Sequence, residues 1–180
     1  STKGRTGKPI SFDKTFSWAG DEWLVPAAYL CREGIVLDIF KRVSAERLFA
    51  FRETWNLSAE DDGSDWDQAQ RMRAMAENPF AEDFDAELIV NGQTLYQNHG
   101  CALCWDPLYP EGNDKAAKHV REHYHLDELD GWVFWRLSFP WTGKREMKLR
   151  NVSLRLKADV AEILGPEFSP EKAGDAMRFF

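Results

Sequence analysis

Asn91-Gly92 stands between two short runs of alternating polarity, residues 86–90 and 93–96. A two-residue hairpin turn that matches the twist of its strands needs positive φ at both central positions. Asparagine and glycine tolerate that conformation best. The pair therefore predicts an antiparallel hairpin. Period-two alternation returns further on, where Val152, Leu154, Leu156, Ala158 and Val160 interleave with Asn151, Ser153, Arg155, Lys157 and Asp159. That is the pattern of a strand with one buried and one wet face. Residues 35–43 and 132–141 are large and apolar on both parities, as strands covered on both faces are.

The N-terminal third continues in this manner. Phe12, Lys14, Phe16 and Trp18 share a parity, and Ala19-Gly20-Asp21 turns the chain into a strand at 22–30. Pro26 has no amide proton, so that strand is expected at an edge or with a break. Glu33-Gly34 turns again. Residues 48–57, with Phe49, Phe51 and Trp55, are expected to extend the strand pattern, and residues 101–105 form a further short apolar strand.

Two segments have helical spacing. Ser64 and Asp67 resemble a capping box, and Trp66, Ala69, Met72 and Ala76 recur at helical spacing, which predicts a short helix ended by Pro79. Asn113 is placed to cap a second helix running to Tyr124, with Ala116, Ala117, Val120 and Tyr124 as its apolar stripe. The fold expected is mostly β, an antiparallel β-sandwich of jelly-roll or immunoglobulin-like kind with two short helical insertions. A β-barrel is the alternative.

A length of 180 residues suits one domain, expected over 10–180 behind a tail at 1–9 that holds glycine, proline and cations but no large apolar group. Phe179-Phe180 is an unusual terminus for a finished chain and points to a longer product. The net charge of −7 disfavours nucleic acid, whose binding needs a basic face, and an anionic membrane surface. No apolar run approaches the roughly 18 residues that span a bilayer. Three cysteines, Cys31, Cys101 and Cys104, cannot all pair within the chain, which leans towards a reducing, cytoplasmic compartment. The expected partner is a protein or a glycan.

Cys101-x₂-Cys104-x₁₄-His119-x₃-His123 is the sharpest candidate for chemistry. Two thiolates and two imidazoles suit tetrahedral zinc, and histidines four apart share one helix face. His99 and His125 lie beside the set. Against it, residues three apart in a strand point to opposite faces, and Leu108 and Ala116 are poor matches to a zinc-finger core. Asp61, Asp62, Asp65 and Asp67 around Gly63 could hold calcium, but their order does not match an EF-hand. They equally solvate a loop and favour a helix N-terminus. Glu82, Asp83 and Asp85 form a similar acidic run.

Eight tryptophans are many for this length. Trp18, Trp23, Trp105 and Trp141 adjoin turns, where exposed indoles could form platforms for sugar rings. The commoner role is packing. Phosphate-binding glycine loops, the nucleophile elbow and the His-Glu-x-x-His motif are absent. Cys104, His119 and Asp106 can be written as a nucleophile set, though nothing distinguishes them. The expected function is a non-catalytic binding module without a cofactor. A zinc protein and a carbohydrate-binding or carbohydrate-active domain are the alternatives.

Overall fold

A computed structural model of the chain describes residues 7–57, 63–143 and 148–158. The strands are β1 (Lys8–Trp18), β2 (Asp21–Cys31), β3 (Gly34–Val43), β4 (Phe84–Val90), β5 (Gln93–Tyr96), β6 (His99–Trp105), β7 (Gly131–Pro140) and β8 (Val152–Ala158). The helices are α1 (Ala45–Thr54), α2 (Gln68–Glu77) and α3 (Lys115–His123), with a 3₁₀ turn at Pro110–Gly112. Two antiparallel sheets form, in the orders β1-β2-β3-β7-β6 and β5-β4-β8, and neither closes into a barrel among the described residues. The sandwich expectation is met, the barrel is not, and there are three α-helices rather than two.

The chain divides into two compact units. The first comprises residues 1–41, 83–102 and 135–180. Its core draws on both sheets. Trp23, Val25, Leu37 and Ile39 come from the larger one, and Leu88, Leu95, Leu154 and Leu156 from the smaller. Alternation explains this directly. In the β4–β8 ladder, Ala86, Leu88 and Val90 lie opposite Leu156, Leu154 and Val152, so one whole face is apolar. On the other face Glu87 accepts from Arg155 at 3.1 Å and Lys157 at 2.9 Å. Cross-strand pairs of this kind stabilise a wet face modestly.

Two turns join their strands as the residues demand. Ala19 and Gly20, at φ 52° and 81°, join β1 to β2, while Asn91 and Gly92, at 51° and 81°, join β4 to β5. Asn91 does more than turn. Its side-chain oxygen accepts from the amides of Arg150 (2.8 Å) and Asn151 (3.0 Å), and its side-chain nitrogen donates to the Lys148 carbonyl. It thereby ties the lead-in to β8. Asn91→Gly keeps the turn and loses the tie, an expected cost of about 1–3 kcal/mol. Asn91→Ala adds the strain of positive φ, about 1–2 kcal/mol more. Urea unfolding of both variants checks the order, and equal stability of the two would contradict it.

Pro26 lies in β2, which is flanked by β1 and β3, so it is not at an edge. The break it demands is in the partner strand. The β1–β2 register shifts between Ser11↔Ala27 and Lys14↔Val25, leaving Phe12 and Asp13 opposite Pro26. Asp13 takes a positive φ of 47° there, so the β1–β2 ladder is interrupted opposite the proline.

Residues 42–82 and 103–134 form the second unit, which holds the three helices. The strand expected at 48–57 is α1. Ser44 caps it, accepting from the Arg47 amide at 3.3 Å, and Leu48, Phe51 and Trp55 fall at helical spacing. Leu48 is buried and Phe49 turns outward. Gly131 leaves room for this packing, because a Cβ there would lie 2.7 Å from Leu48 Cδ1 and 3.0 Å from Phe80 Cε1. The second helix begins one cap later than expected. Asp67, not Ser64, accepts from the Gln70 amide, and Gln70 answers the Asp67 amide. Asp114 rather than Asn113 caps α3. Asn113 instead binds both the amide and the carbonyl of Asp106, closing the loop between β6 and the 3₁₀ turn.

Candidate functional site

The zinc candidates do not gather. Cys101 and Cys104 lie on β6, three residues apart in extended chain, which directs them to opposite faces. His119 and His123 are neighbours on exposed α3, with ring centroids 6.4 Å apart. Among the described residues no three His, Cys, Asp or Glu side chains converge as a metal site requires. Calcium fares no better. Asp67 is engaged as the cap of α2, Asp65 is exposed, and Asp61 and Asp62 lie outside the described residues. Asp106 of the supposed nucleophile set is held by Arg52 and by the Leu108 amide at 2.9 Å.

Of the four tryptophans weighed as sugar platforms, Trp18, Trp23 and Trp105 are buried. Trp23 stacks on Trp135 at 5.2 Å, meets Phe84 edge-on at 5.6 Å and donates its indole N–H to the Trp18 carbonyl. Trp105 carries the Arg121 guanidinium over its ring at 4.4 Å and donates to the Glu128 carbonyl. Trp141 is half-buried and donates to the Cys31 carbonyl. Adjoining a turn did not leave Trp18, Trp23 and Trp105 exposed, because burying so large a ring outweighs the polarity of one N–H that finds a carbonyl.

Sequence reasoning missed the feature that stands out on the surface. Nine of the ten residues of α2 are exposed, and only Ala74 is buried. Ala69, Met72 and Ala76, which recur at helical spacing, are all exposed. Met72 is 64% and Met75 69% exposed. Residues three and four apart are neighbours on a helix, so these four side chains form one continuous patch. Arg71 and Arg73, both exposed, flank Met72 in sequence. The helix is pinned at its ends and edge rather than along that face. Trp55 donates to Glu77 at 2.6 Å, packs at a tilt against Trp66 at 5.2 Å and lies beneath Arg73 at 5.4 Å. Phe49 and Leu129, in the same unit, are also exposed, at 57% and 70%. Four of the five large hydrophobic residues exposed among those described thus belong to the smaller unit.

Two buried charges also escaped the sequence. Lys41 in β3 is 1% exposed at its side chain, with the Asp21 carboxylate, 8% exposed, at 3.9 Å. Asp38 is buried on the same strand and takes a two-pronged contact from Arg136, at 2.7 and 2.9 Å. The Arg136 guanidinium lies over Tyr29 at 5.1 Å. Both groupings are paired charges within the first unit, and neither places a nucleophile beside a base.

Comparison with protein-family models, with curated proteins and with solved structures finds no match to this chain.

Proposed function

We propose that the chain is a non-catalytic protein-interaction module, with the sandwich as scaffold and the outer face of α2 as the surface offered to a partner. One observation carries this reading: the stripe at helical spacing, Ala69, Met72 and Ala76, faces solvent together with Met75. Apolar area left in water forgoes about 25 cal/mol per Å². A clustered patch of it on a monomer commonly marks a contact site. Methionine suits the task because its flexible, polarisable side chain adapts to another surface. With Arg71 and Arg73 beside the patch, the complementary partner is an amphipathic helix whose apolar face is bordered by Asp or Glu. The burial of Trp18, Trp23 and Trp105 favours this reading over the carbohydrate alternative.

Fluorescence anisotropy with labelled amphipathic peptides of about 15 residues, long enough to hold a helix, tests the proposal. Peptides with a leucine face and a glutamate border are expected to bind, and the same face with a lysine border to bind less. Replacing both methionines (Met72→Gln, Met75→Gln) is expected to weaken binding at least tenfold, about 1.4 kcal/mol. Undiminished binding by that double variant, or preference for anionic vesicles over either peptide, would overturn the proposal.

A further inference from the structure

The apolar face of α2 is built on thioethers, and a thioether is open to reversible oxidation. Ala74, the one buried residue of the helix, is two positions from Met72, about 200° round at 3.6 residues per turn. Met72 therefore points away from the body of its own unit. On the helix surface its neighbours are the residues three and four away: Gln68, Ala69, Met75 and Ala76. Two of these are alanines, too short to shield the sulfur of a longer side chain. Met75 is exposed a little further, at 69% against 64%. Neither side chain belongs to the core, so a change at the sulfur alters the surface and leaves the packing as it is.

We infer that Met72 and Met75 are a modification site that regulates docking: hydrogen peroxide converts both thioethers to sulfoxides, and the oxidised face no longer holds its partner. The inference rests on the reading of α2 as a docking surface. At each residue the thioether sulfur attacks one oxygen of the peroxide. The O–O bond breaks and an S–O bond forms. The proton of the transferred oxygen passes to the departing hydroxide, which leaves as water. The sulfur is oxidised by two electrons and the peroxide reduced by two. The product is a dipolar S–O group in the middle of the stripe, where the bound partner offers an apolar face. Burying it there leaves a polar group without a hydrogen-bond partner, which is costly. The converse also holds: a docked partner covers both sulfurs and shields them from the peroxide.

The test treats the protein with hydrogen peroxide until peptide mapping shows one added oxygen on each of Met72 and Met75. The oxidised protein is expected to bind the glutamate-bordered peptide roughly tenfold less tightly, with its circular dichroism and urea unfolding retained. The two methionine sulfoxide reductases, one for each sulfoxide epimer, are expected to restore binding. Saturating peptide is expected to slow the oxidation of both residues. The double variant Met72→Leu, Met75→Leu keeps Met147, Met177 and all three cysteines. It is expected to bind the peptide equally well before and after peroxide, because leucine supplies a similar apolar volume without the sulfur. Wild-type protein that carries both oxygens and binds as before, or a leucine variant that loses binding to the same extent as wild type, would overturn the switch and leave the docking face in place. Untreated protein that does not bind the peptide overturns the docking reading itself, and the switch with it.

Discussion

Trp23→Ala is expected to lower the free energy of unfolding by about 3–5 kcal/mol, the range for removing a large buried side chain. Trp23 is fully buried and is the hub of the aromatic cluster. Its ring stacks on Trp135 and Phe16, tilts against Trp18 at 5.4 Å and meets Phe84 edge-on. Deleting it leaves a cavity among rings that cannot rotate inward without giving up their own contacts. The Trp18 carbonyl loses a donor as well. Trp23→Phe retains much of the stacking and should cost markedly less. Urea unfolding gives the energies, and near-ultraviolet circular dichroism should lose the signal of the coupled indoles in the alanine variant. A loss below about 1 kcal/mol, the size of a typical surface effect, would mean that this cluster is not the core.

Asp21→Ala is expected to cost a similar amount, about 3–5 kcal/mol, for a different reason. It takes a carboxylate away from an ammonium group, Lys41, that is 1% exposed. Removing one partner of a buried ion pair is far more costly than the pair was stabilising. The matching control removes both charges. Asp21→Leu combined with Lys41→Met should recover most of the loss, and replacements of this kind sometimes exceed the wild type. A double-variant cycle in urea measures the coupling. Strictly additive effects would show that the two groups do not act on each other.

These two sites also mark where the sequence is legible. The Asn91-Gly92 hairpin, β7 and β8 are readable because their signals are local: a dipeptide with one preferred turn, and alternation over a few residues. The helix α1 was readable in principle. Ser44 is a cap, and Leu48, Phe51 and Trp55 keep helical spacing, but Phe49 fills the gap between them and imitates a strand. The helix α2 is legible near Trp66–Pro79, but its outward face is not, since spacing locates an apolar stripe without saying which molecule covers it. Lys41 could not be foreseen. Its burial depends on strands β2 and β3 lying side by side, with Asp21 brought within 3.9 Å across 20 positions of sequence. The Cys/His spacing misled for the opposite reason. It is defined along the chain, whereas a metal needs convergence in space, which strand alternation at Cys101 and Cys104 opposes.

The central claim is that the outward methionines of α2 form a docking surface. Methyl-¹³C-methionine labelling with assignment by single substitution tests it most directly. Titration with the glutamate-bordered amphipathic peptide should move the Met72 and Met75 resonances together, along one saturating curve, while the indole N–H of buried Trp23 stays in place. Unmoved Met72 and Met75 resonances while the peptide saturates a site elsewhere on the protein would contradict the claim.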